Sequence, residues 1–290
     1  MLLPSEGGQL HPLASRPGDP ALLESLASAY TTRAFSGGDP DRCRDVKSQA
    51  QAILEHLAAA NPSNHATRVS LAYNLISSGL DQSAQGQHPT DLDRAVQMYR
   101  EFDVESGSDS GSREALGIAQ AWRAYALERL GDPAWQLDIR AARDLLAPIV
   151  VEHPDDQSAS RGLSMCEGMI AIAQAKGDNP EGALATMREA VARDRSFVAL
   201  DPDNSHSRLI LASALLRTAQ VQAILADRAD ASREQQLDHR RAAIAADLEV
   251  EELLTRGRTA EHLTPPESEK VSGAIAHRKE QQQILDRLNR

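Results

Sequence analysis

A short pattern, proline followed two residues later by asparagine or aspartate, recurs at the head of helical stretches: NPSN at 61–64, HPDD at 153–156 and DPDN at 201–204. These recurrences lie 92 and 48 residues apart, two periods of 46 and one of 48, so the chain is built on a unit of about 47 residues. A second register interleaves with the first. Asp39 with Pro40, Asp132 with Pro133 and Asn179 with Pro180 each open a helical stretch, 93 and 47 residues apart. Each pairs an N-cap side chain with a proline at the first helical position, where the missing N–H is no loss. A unit therefore holds two helices, and a stack of such units is a helical solenoid.

The spacing predicts five helix pairs, with first helices over about 20–35, 64–79, 112–130, 158–176 and 204–226 and second helices over about 40–60, 90–104, 133–151, 180–199 and 230–256. The stretch 80–89 reads as a lengthened loop, and ESGSDSGS at 105–112 stands where the third unit lacks the proline pattern. Residues 1–18, rich in proline and glycine, are expected to be flexible, 19–262 to form the repeat array and 263–290 to cap it. The cap is legible as a narrow apolar stripe of Val271, Ala274, Ile275, Leu285 and Leu288 on an otherwise polar helix. Composition agrees with an all-α chain. Aromatic residues are 3% against 41% for the wider hydrophobic set, so alanine and leucine do the packing, as closely approaching helices require.

Arginine marks a third register at Arg68, Arg113, Arg161 and Arg208, 45, 48 and 47 residues apart. Such a row is structural if each stem packs over the turn between units and ends on a neighbouring acid. It is a ligand row if the guanidiniums face an anion. The structural reading is the expectation.

The net charge of −11 opposes nucleic-acid binding, which needs a basic face. Cys43 and Cys166 are 123 residues apart with no CxxC, which argues against a disulfide framework or zinc site and for a reducing, cytoplasmic setting. MLLPSEGGQL lacks the basic start of a signal peptide, and no apolar run is expected to reach the eighteen or so residues of a membrane span. The nine histidines include no HExxH or i, i+4 pair, and neither a GxSxG elbow nor a P-loop is present. Cys166 reads as a small core residue, and Cys43, between Arg42 and Arg44, as a thiol without catalytic partners. No cofactor, metal or catalytic residue is expected.

The stretch GDNPEGALATMREAV at 177–191, followed by LDPDN at 200–204 and Arg208, resembles tetratricopeptide-like repeats. It is most similar to the long-helix variety at the C-terminal end of some bacterial serine/threonine protein kinases, and LLTRGRTAEHLTPPESEKVSGAI at 253–275 resembles the closing segment of those arrays. The resemblance implies a right-handed α-solenoid whose first helices line a concave groove. It does not extend to catalysis, because the GxGxxG, VAIK-like, HRD and DFG motifs are missing. Polar or aromatic residues on otherwise apolar first helices mark the candidate groove: Tyr73, Asn74, Trp122, Arg123, Glu167 and Arg217. The expected function is a non-catalytic module binding a protein or peptide, a scaffold or sensory arm in bacterial signalling. The alternative is a sensor that holds a small anionic ligand in the groove.

Overall fold

The computed structural model describes residues 40–177, 179–256 and 262–290, with the backbone alone for 40–43. The expected N-terminal segment, the helix over 20–35 and the side chain of Cys43 lie outside the described residues. Ten helices follow in order: α1 Pro40–Ala60, α2 His65–Ala84, α3 Thr90–Glu105, α4 Ser110–Arg129, α5 Trp135–Glu152, α6 Gln157–Lys176, α7 Pro180–Leu200, α8 Ser205–Ala226, α9 Arg233–Thr255 and α10 Pro265–Leu288. Among the described residues there is no strand.

The recurring proline pattern folds the same way each time. Its third residue is the N-cap: Asn64 accepts from the Thr67 N–H at 3.2 Å, Asp156 from Ser158 at 2.9 Å, and Asn204 from Ser207 at 3.1 Å. In each case the cap's own N–H reaches back to the residue before the proline, Asn64 to Asn61, Asp156 to His153 and Asn204 to Asp201, at 3.0 to 3.1 Å. This closes a one-turn corner between helices and satisfies an otherwise orphaned donor. Before α4 the corner is built differently. Gly107 and Ser108 take positive φ values of 70° and 60°, and Asp109 caps the helix by accepting from Ser112 at 2.7 Å.

Two boundaries differ from the sequence reading. Helix α2 runs through residues 80–84, because Ser83 is buried and Asp81 receives a 2.7 Å ion pair from Lys47 of α1; only Gly86, at φ 75°, breaks it. Pro133 is not the first residue of α5. Asp132 accepts instead from Ala134 in a turn that precedes Trp135. By contrast, Asn179 and Pro180 form the expected cap and first position of α7, with Asn179 accepting from Gly182 at 3.0 Å.

Each helix packs on the next, and the even-numbered helices also touch one another in a row: α2 on α4, α4 on α6, α6 on α8 and α8 on α10. The odd-numbered helices share no comparable contact among the described residues. The even row is thus the tighter, inner layer. Small residues let it approach: Ala119, Ala121 and Ala124 of α4 and Ala171 and Ala175 of α6 are fully buried. At Gly79 of α2 a Cβ would come within 2.6 Å of the Leu92 backbone nitrogen, and at Gly117 of α4 within 2.8 Å of Leu146. Leucines such as Leu75, Leu92 and Leu146 fill the space between layers, each contributing roughly 1.5–3 kcal/mol by burial.

Helix α8 is apolar on both sides. Leu211, Leu215, Val221 and Leu225 are buried, while Leu209 and Leu216 are half-buried on the side toward α4 and α10. By length and composition this helix could cross a membrane, contrary to the expectation that no run reaches that size, and 56% of its apolar window is buried within the array. It meets the criterion because a helix sandwiched between neighbours needs apolar groups all round. The cap, α10, buries Val271, Ala274 and Leu285 together with two polar groups, Glu267 and Gln281. Glu267 completes a capping box with Thr264.

Candidate functional site

The inner helices flank a half-open cavity of about 870 Å³ toward the C-terminal end of the row. Ile118, Trp122 and Tyr125 of α4 form one wall at helical spacing, and Met165, Leu209 and Leu216 continue it across α6 and α8. Trp122 and Tyr125 meet edge to face with ring centroids 6.0 Å apart, which fixes both rings. Gly162, Ser213 and Ala214 leave room beneath. Helix α10 contributes Pro266 and Lys270, so the terminal cap also walls the cavity.

Its charges are one-sided. Arg161, His206, Arg217 and Lys270 line it, and among the described residues no carboxylate does. Burial lowers the Arg217 pKa, opposed by Tyr125 and Glu128, yet a guanidinium stays charged. Burial also lowers the Lys270 ammonium pKa, with Glu269 opposing and the Arg217 charge adding. His206 is held below the usual imidazole range by burial and by Arg161, and is therefore neutral at pH 7. None of the four makes a hydrogen bond or ion pair with another described residue. Arg217 lies against α6 at a glycine: a Cβ on Gly168 would meet the Arg217 Cδ at 2.5 Å.

Other interior arginines are closed by acids. Arg123 of α4 donates to Asp93 of α3 at 2.6 Å and, through Nη1, to both oxygens of Asp138 of α5 at 2.8 and 3.0 Å. Arg193 of α7 donates to Glu167 at 2.5 Å, to Ser164 at 2.7 Å and to Ser160 at 3.1 Å, all on α6. The Ser164 hydroxyl in turn donates to Asp194 at 2.8 Å. Burial raises the Asp194 pKa to about 6, against the pull of Arg193 and Ser164.

Of the six residues singled out in the sequence, the structure brings Trp122 and Arg217 together in the cavity. Arg123 and Glu167 face the outer helices and are paired there. Tyr73 is 51% exposed on α2, and Asn74 is buried beside it with its side-chain oxygen unpaired. The four periodic arginines separate as well. Arg68 bonds Glu105 through both nitrogens at 3.0 Å and stacks on Phe102 at 4.7 Å, and Arg113 donates to the Asp109 carbonyl at 3.4 Å. Arg161 lines the cavity, and the Arg208 Nε is buried without a partner. Sequence reasoning did not find Lys270, His206 or Gly168. None recurs with the period, and only the fold of α10 across the groove brings Lys270 into place.

Cys166 is fully buried and its thiol is pushed up to about 12 by burial, so it is no nucleophile. Among the described residues no cluster of His, Cys, Asp and Glu is arranged to hold a metal.

The chain matches no family model and no curated protein. Among solved structures it is similar to the human IFIT1 dimer with m7Gppp-AAAA, at a TM-score of 0.37 and 15% identity, over 93% of this chain and 72% of that one. At that score the likeness carries nothing about what this chain holds.

Proposed function

We propose that the chain is a non-catalytic binding module: a right-handed stack of two-helix units of about 47 residues, closed by α10, that holds a partner polypeptide along the inner row of helices. The observation that carries this reading is the half-open cavity between α4, α6, α8 and α10, with aromatic walls and cations but no acid among its described lining residues. Concave apolar walls with a few convergent polar groups are what binding sites offer. The tetratricopeptide-like segment at 177–208 supports a place in bacterial signalling, and the net charge of −11 favours a polypeptide over a nucleic acid.

Site-directed photo-cross-linking in the native host tests it. p-Benzoylphenylalanine at exposed Tyr73 or at Gln220 should capture a discrete polypeptide, and at exposed Leu137 or Val151 of α5 it should not. Equal capture at all four positions, or none at Tyr73 and Gln220, contradicts the reading. A second reading, a sensor of a small anion, is favoured by the one-sided charge of the cavity.

A further inference from the structure

We infer that the cavity is a built site for a small organic oxyanion, a carboxylate or phosphate head on an apolar ring or chain, and that such a ligand ties α10 to the rest of the array. The inference rests on the reading of the inner row as a binding face.

Two guanidiniums, one ammonium and one imidazole line one space with no acid among the described lining residues. Buried arginine is costly unless it is paired, and elsewhere in this chain Arg123 and Arg193 are paired to two acids and to an acid with two hydroxyls respectively. Arg217 is half-buried without such a hydrogen-bonded partner, and the absence of a side chain at residue 168 is what admits its stem. Lys270 arrives from α10 and feels the adjacent Glu269 carboxylate and, less strongly, a like-charge repulsion from Arg217. An oxyanion between them turns that repulsion into two charge-assisted contacts, with Arg161 and the His206 imidazole within the same lining.

Most of the lining is apolar, so the ligand carries one head and a larger apolar body seated on Trp122, Tyr125, Leu209 and Leu216. The volume of about 870 Å³ lies within the roughly 300–1,000 Å³ of small-molecule sites. The remainder of the molecule selects against long polyanions. With a net charge of −11, its surface repels any stretch of phosphates that runs beyond the cavity, whereas a compact anion meets only the cations.

The test uses the full chain, isothermal titration and thermal melting, with 1-naphthylacetate, 1-naphthyl phosphate and the neutral isostere 1-naphthylacetamide as probes. At least one of the two anions should bind saturably, more than tenfold tighter than the amide, and raise the melting temperature. Arg217→Met should abolish that preference while melting, without ligand, no lower than the parent, since it removes a half-buried charge that makes no ion pair with a described residue. Lys270→Gln, at a half-exposed position, should weaken the anion several-fold, and Arg195→Gln on the exposed Arg195 to Glu249 pair should leave it unchanged. Equal binding of anions and amide overturns the inference. So does absence of binding by all three probes, or a fall in the ligand-free melting temperature of Arg217→Met. Cross-linking at Tyr73 and Gln220 is read independently, so loss of the anion site and loss of the polypeptide-binding reading are told apart.

Discussion

Two sets of buried or half-buried cations sit within a helix or two of each other and behave oppositely. Between the layers, Arg193 is enclosed by Glu167, Ser164 and Ser160, and Arg123 by Asp93 and Asp138. On the inner face, Arg161, Arg217 and Lys270 share a cavity with no acid among its described lining. The first set holds a helix of the outer layer onto the inner one. The second has nothing of its own to hold. A buried charge balanced by the fold belongs to the fold, and one left unbalanced points to something that arrives later.

The largest effect expected from this contrast is at Arg193. Arg193→Met leaves the buried Glu167 and Asp194 carboxylates without their cation and should cost about 3–5 kcal/mol in denaturant unfolding, the range for removing one partner of a buried pair. Gly168→Ala comes next and sharpens the other side. Its methyl meets only the flexible Arg217 stem, so stability should change by less than about 1 kcal/mol while anion affinity falls about tenfold as the guanidinium is displaced.

The helix pairs and their corners were legible, because a cap followed by apolar periodicity is a local signal, and Asn64, Asp156, Asn179 and Asn204 cap as their sequence positions demand. The end of α2 and the start of α5 were not, since a tertiary ion pair from Lys47 extends one and a turn at Asp132 delays the other. Within the site, Trp122 and Arg217 stood out as polar or aromatic groups on apolar helices, but Arg123 and Glu167 stood out for the same reason and face outward. Which side of a helix sandwiched between neighbours faces the groove is decided by packing, and α8, apolar all round, gives no amphipathic stripe from which to read it.

A smaller effect is expected from pH. The Asp194 pKa is raised from 3.8 to about 6 in the folded chain, so its contribution is full below the unfolded value and is lost as pH rises through about 6. His277, whose pKa is raised by its hydrogen bond to Asp247, contributes in the same direction above pH 6.5, while His206 and His239, both lowered, oppose it. The difference between parent and Asp194→Asn isolates the carboxylate. Unfolding free energies from pH 5 to 7 should show the parent losing stability relative to the variant, with a slope no steeper than about 1.4 kcal/mol per pH unit.

The smallest effect marks the baseline. Arg195→Gln, which breaks the exposed pair with Glu249, should change stability by less than about 1 kcal/mol, with any loss shrinking in high salt.

Whether the inner cations serve a ligand and the interlayer cations the fold is decided by melting Arg217→Met and Arg193→Met beside the parent, without ligand. Opposite behaviour is predicted: Arg193→Met melts well below the parent, and Arg217→Met at or above it. If both variants melt below the parent by similar amounts, Arg217 is a structural arginine like Arg193 and the account is contradicted.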